Sequence, residues 1–110
     1  MKVLIRGLGG VGQRHVRNIF SHLDNIRLFT DTKRPFVPEI DNDLNLDASR
    51  DFLKLYGATV LSDEVIKASN FDLTVIASPS SFHFSQTSIA IENSKKVVFF
   101  TTMFNLSISW

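Results

Sequence analysis

The sequence predicts an α/β fold, a doubly wound parallel sheet of about five strands with helices on both faces. Three observations predict it. Strand-like and helix-like segments alternate along the chain. An apolar run at Val3-Leu4-Ile5 passes directly into glycines spaced G-x-G-x-x-G at Gly7, Gly9 and Gly12. A second strand-like run ends in an acid, Asp31, which lies 19 residues beyond Gly12.

The elements follow in order. Residues 2–6 read as a buried strand, and Val11, Val16, Ile19, Phe20 and Leu23 recur at helical spacing over 10–23. Asp24-Asn25 makes a turn, and Ile26–Thr30 reads as the second strand. Pro35, Pro38 and mixed charge predict an irregular, exposed loop over about 32–46. Asp47 is the expected N-cap of a helix through Tyr56, with Gly57 as its left-handed stop. Ala58–Leu61 reads as a short third strand, and Ser62 as the cap of a helix with Asp63 and Glu64 in its first turn, where the helix dipole favours acids. Leu73–Ala77 is the clearest later strand; Ser78-Pro79-Ser80-Ser81 turns it into a helix of about 82–93, and Val97–Phe100 is the fifth strand. No internal repeat or low-complexity segment interrupts this order.

Composition sets the outer limits. A chain of 110 residues is one domain, able to bury roughly two-thirds of the surface it exposes when unfolded. A net charge of +1 argues against nucleic-acid binding by bulk electrostatics. With no cysteine, disulfides, thiolate nucleophiles and Cys-ligated metals are excluded. Arg6 and the glycines interrupt the first apolar run, so no signal peptide is read, and nowhere do roughly eighteen apolar residues follow one another to span a bilayer. The expectation is a cytoplasmic protein with neither nucleic-acid nor membrane partner. His15, His22 and His83 lack the i,i+4 acidic partners of a zinc helix, and no metal is expected. His15 shares a helical stripe with Val11 and Ile19, which predicts a partly buried ring, and Arg14 and Arg17 read as a solvated helix face.

The glycine spacing carries a mechanism. In a strand-turn-helix unit of the Rossmann type, Gly7 permits the tight turn, Gly9 lets backbone approach a pyrophosphate, and Gly12 lets helix and strand pack closely. The first N–H groups of the helix have no partner within it and face an anion with the positive end of the dipole. Asp31 stands where such folds accept hydrogen bonds from the adenosine ribose hydroxyls, which favours NAD because a carboxylate repels a 2′-phosphate. Lys33 and Arg34 follow within two to three residues, as either a solvated loop or a cradle for the 2′-phosphate of NADP. Both cofactors stay open. The Ser78–His83 loop is expected at the same crevice, at the carboxyl end of its strand. Its hydroxyls and His83 then either contact the nicotinamide half, or Ser80 or Ser81 simply caps the next helix and His83 sits in its first turn.

Lys2–Asn18, KVLIRGLGGVGQRHVRN, resembles the opening of the Gfo/Idh/MocA oxidoreductases, and Phe71–His83, FDLTVIASPSSFH, resembles their second signature of an apolar strand, a small residue, a proline and a histidine four residues on. The likeness covers roughly residues 2–100. It implies the NAD(P)-binding half of an enzyme that oxidises or reduces sugars, inositols or related polyols. It also implies that Gly7, Gly9, Gly10, Val11 and Gly12 form the phosphate turn, Asp31 the ribose contact, and Ser78, Pro79 and His83 the inner cofactor wall.

Two departures accompany the match. Where the family carries Glu-Lys-Pro with a catalytic lysine, this chain has Thr101-Thr102-Met103, and threonine supplies no ammonium to a substrate. The family continues into a second α/β domain that holds the substrate, whereas this chain stops at Trp110. The expectation is therefore a dinucleotide-binding domain over 1–100, an atypical apolar tail over 101–110 without a charged side chain, no substrate domain and no catalytic residue: a fragment inactive alone. The tail must cover an apolar surface, pair with a sheet edge or stay exposed. A stand-alone, non-catalytic NAD(P)-binding sensor or scaffold is the alternative. A methyltransferase with a similar nucleotide fold fits less well, since an acid commonly precedes the glycine loop there and Arg6 does here.

Overall fold

The computed structural model describes residues 1–100 and 107–109. The first strand, β1 (Lys2–Arg6), is buried from Val3 onward, and its apolar residues alternate between two faces. It leads into α1 (Gly10–His22), followed by β2 (Arg27–Thr30), a hairpin of β3 (Pro38–Ile40) and β4 (Leu46–Asp51), and the single-turn α2 (Phe52–Leu55). Then come β5 (Thr59–Val60), α3 (Asp63–Ala68), β6 (Phe71–Ile76), a 3-10 turn at Ser80–Phe82, α4 (His83–Asn93), β7 (Ser94–Phe100) and β8 (Ser107–Ser109).

The main sheet has the order β5-β2-β1-β6-β7-β8. Its first five strands are mutually parallel, and β8 runs antiparallel to β7. From β1 the chain winds outward through β2 to β5, then crosses to the other side of β1 to lay down β6 and β7. The winding therefore reverses between β1 and β6, and the crevice outside their carboxyl ends is where ligands lie in such sheets.

Both faces of the sheet are covered, as the near-continuous apolar strands require. On one face Val3, Ile5, Leu28 and Val75 cluster with Val16 of α1 and with Phe52 and Leu53 of α2. On the other Leu4, Phe29 and Phe71 cluster with Ile66 of α3, and Ile89 of α4 packs against them. The Phe29 and Phe71 rings meet edge to face, 5.8 Å between centroids. No helix among the described residues is long and apolar enough to cross a membrane.

Three local expectations need correction. Asp47 does not cap a helix: its Oδ1 accepts from Ser49 N and Ser49 Oγ, and residues 46–51 pair with β3 across a bulge between Pro38 and Glu39. The cap is Asp51, whose Oδ1 accepts from Leu53 N at 3.2 Å and from Val37 N at 3.1 Å, so the helix shrinks to one turn. The loop expected over 32–46 is in part the hairpin. Its tip is closed by Asp41, which accepts from Asp43 N and Asn45 N, with Leu44 at φ +65°. Finally, α4 begins after a 3-10 turn with Phe82, rather than a serine, at its cap and no side-chain cap bond. Gly57, at φ +60°, does stop α2 as expected, and Ser62 caps α3 by accepting from Val65 N. Of the open alternatives for the tail, Ser107–Ser109 take edge pairing, on β7.

Candidate functional site

The glycine turn and the Ser78 loop meet at the switch between β1 and β6. Gly7 has φ +93°, a conformation only glycine adopts without strain. A Cβ there would stand 2.8 Å from Ser78 N and Cα. One at Gly12 would stand 2.0 Å from the Gly7 carbonyl oxygen. Both positions are closed to any side chain by backbone, which is what draws strand, turn and helix together. Gly9 is different: it caps α1 in extended backbone at φ −77° and no atom lies within 4 Å of the place its Cβ would take. The turn therefore leaves open space at the mouth of a helix of 13 residues. There the N–H groups of Gly10, Val11 and Gly12 have no partner within the helix, whose first bond runs from Gln13 N to the Gly9 carbonyl. A Cβ at Gly10 would meet the Leu44 side chain at 2.8 Å, because the hairpin tip rests on this helix.

Asp31 sits just past β2 with its carboxylate turned toward the same turn. Its Oδ1 accepts a long bond from Gly7 N at 3.4 Å and its Oδ2 accepts from Arg6 Nη1 at 3.1 Å. Lys33 and Arg34 are exposed. They line a groove of about 690 Å³ with Asp31, Pro35 and the Leu61–Glu64 segment. Among the described residues neither of the two takes part in an ion pair.

The second motif lies on the opposite lip. Ser78 is buried and its hydroxyl donates to Gln86 Oε1. Pro79 is exposed and its carbonyl accepts from Phe82 N. His83 opens α4, where its Nε2 donates to the Ser78 carbonyl at 2.6 Å. The ring and the serine hydroxyl thus brace the loop, which holds Ser78 against Gly7. Thr101-Thr102-Met103, where the departure from the lysine motif falls, lie outside the described residues.

Three residues with a part in this site carried no signal in the motif. Arg6 is buried and its Nη1 also donates to Asp63 Oδ1 at 3.0 Å; a lone arginine closing an apolar strand is the sequence trace it leaves. Asp63 shows in the sequence only as a first-turn acid of α3. Gln13 is fully buried. Its Nε2 donates to the carbonyls of Leu8 and Pro38, and its Oε1 accepts from Ile40 N at 2.7 Å, which bolts the hairpin to the glycine turn. Arg14 and Arg17 reach the hairpin too, donating to the Asn42 carbonyl and to Asn42 Oδ1, so this helix face is not simply solvated. His15 is half-buried as its stripe implied, and burial, with Arg14 beside it, lowers its pKa from 6.5. Among the described residues no group of three or more His, Asp or Glu side chains is placed to hold a metal.

A parallel sheet wound both ways from β1, a glycine turn that leaves a helix mouth open and an acid at the end of β2 define a dinucleotide-binding Rossmann domain. The family model described as oxidoreductase family, NAD-binding Rossmann fold, matches residues 1–99. The chain belongs to this Gfo/Idh/MocA family. No curated protein and no solved structure matches it with significance.

Proposed function

We propose that this chain binds NAD or NADP and forms the cofactor-binding half of an oxidoreductase acting on sugars, inositols or related polyols. The observation that carries the reading is the open space over Gly9 at a helix mouth, in the same turn whose Gly7 N–H reaches the Asp31 carboxylate. The N–H groups of Gly10, Val11 and Gly12 are suited to hold the pyrophosphate, with Gly7 and Gly12 fixing the turn. Asp31 is suited to accept the ribose hydroxyls, with Lys33 and Arg34 at the rim of that subsite. Ser78, Pro79 and His83 form the lip toward the nicotinamide half, where the Nε2–carbonyl bond of His83 keeps the loop rigid. The dinucleotide, when bound, supplies or takes up a hydride. Residues 1–100 would form the binding unit, with Ser107–Ser109 added at its sheet edge. With threonine at 102 in place of an ammonium, catalysis in this reading needs a cationic group and a substrate-holding surface that residues 1–100 do not supply.

Calorimetric titration with NAD and with NADP tests the reading in the wild type and in Gly9→Val. Valine is compatible with the extended backbone at Gly9 and its Cβ enters open space, so it occupies the approach to the helix mouth without unfolding the turn. Binding by the wild type that weakens at least about tenfold in the variant is expected. Equal affinity in the two proteins, or none in the wild type, refutes it.

A further inference from the structure

Arg6 ends β1 as a nearly buried cation, its side chain 3% exposed. Burying a guanidinium is costly unless it is paired and hydrogen-bonded. Here Nη1 alone serves two carboxylates from different elements, Asp31 after β2 at 3.1 Å and Asp63 in the first turn of α3 at 3.0 Å. Ribose hydroxyls require neither contact, because they donate to a bare carboxylate equally well. What Arg6 alters is charge. A solitary Asp at the end of the second strand repels a 2′-phosphate, but this one carries a guanidinium on Oδ2 and the Gly7 N–H on Oδ1. Asp63, which lines the same groove, is engaged by the same cation. The exposed Lys33 and Arg34 face that groove, and neither is in an ion pair among the described residues.

We propose that Arg6 is a specificity-determining residue of the ribose subsite: by holding Asp31 and offsetting its charge, it lets the groove accept a 2′-phosphorylated dinucleotide beside Lys33 and Arg34. The inference rests on the dinucleotide-binding reading above and names which cofactor the site admits.

The test reads the ratio of the NADP and NAD dissociation constants by calorimetry on the whole chain, in the wild type, Arg6→Lys and Arg6→Met, with circular dichroism to verify folding. The wild type is expected to bind NADP at least as tightly as NAD. Arg6→Met should shift the ratio about tenfold toward NAD, and Arg6→Lys, which keeps the charge, should stay within about threefold of wild type. Replacing both Lys33 and Arg34 by alanine should weaken NADP about tenfold and leave NAD unchanged. Should Arg6→Met fail to fold, Asp63→Asn takes its place; it acts on an exposed side chain and leaves Arg6 to Asp31 alone, so the ratio should move toward NADP. A ratio that ignores these changes, or a wild type that binds NAD and rejects NADP, overturns the role of Arg6 while the dinucleotide reading stands. A wild type that binds neither cofactor overturns both.

Discussion

Gly12→Ala and Gly9→Ala add the same methyl group three residues apart and should have opposite consequences. At Gly12 the new Cβ would stand 2.0 Å from the Gly7 carbonyl oxygen and 3.0 Å from its carbon, where ordinary contact begins near 3.4 Å. The neighbour is backbone, and Gly7 cannot retreat, because it is itself held at φ +93° with Ser78 N and Cα against the place of its own Cβ. The turn must open by more than an ångström or α1 must lift from β1. Overpacking of this kind costs typically 1–3 kcal/mol, and with backbone on both sides the upper end, about 3 kcal/mol, is expected. For a chain of 110 residues that corresponds to a fall in Tm of about 10–15 °C. At Gly9 the same methyl meets nothing within 4 Å, so stability should change by less than about 1 kcal/mol. Urea unfolding followed by circular dichroism measures both. A Gly12→Ala protein as stable as wild type, or a Gly9→Ala protein as damaged as Gly12→Ala, would show that the turn does not pack as described.

Three further outcomes are expected. Gln13→Leu removes three hydrogen bonds made by a buried side chain to Leu8, Pro38 and Ile40; it should cost about 2–4 kcal/mol, and hydrogen exchange should show Ile40 deprotected more than the strands of the main sheet. Asp51→Ala removes the cap of α2 and the acceptor for Val37 N, a loss of about 1–2 kcal/mol in denaturant titration; no loss would mean that water replaces both bonds. The His15 pKa is lowered by burial and by Arg14 from 6.5, so the unfolded chain binds the proton more readily. The stability this contributes is present above pH 6.5 and is lost as pH falls through the lower folded value. Tm measured against pH should therefore drop less steeply below pH 6.5 in His15→Gln than in wild type, and parallel curves would contradict it.

The strand, the turn and the first helix were legible because each depends on residues a few positions apart. Val3–Ile5 bury as an apolar run, the glycine spacing places one positive φ and one close approach, and the α1 stripe follows the 3.6-residue period. The capping signal misled at Asp47–Tyr56, where two aspartates compete to cap: Asp47 folds back on Ser49, and Asp51 wins because it also satisfies Val37 N across the chain. That second bond joins residues 14 positions apart, and no local pattern records it.

The α/β class, the glycine turn and the acid at the end of β2 follow from local pattern, since these are set by hydrophobic period and by the backbone freedom of particular glycines. What surrounds them depends on which strands come to lie side by side. Arg6 reaches Asp31 and Asp63 over separations of 25 and 57 residues, and Gln13 reaches Pro38 over 25. Such contacts arise when strands are laid side by side in the order β2-β1-β6. A buried guanidinium or carboxamide must then find its partners among whatever groups that order brings within hydrogen-bond reach.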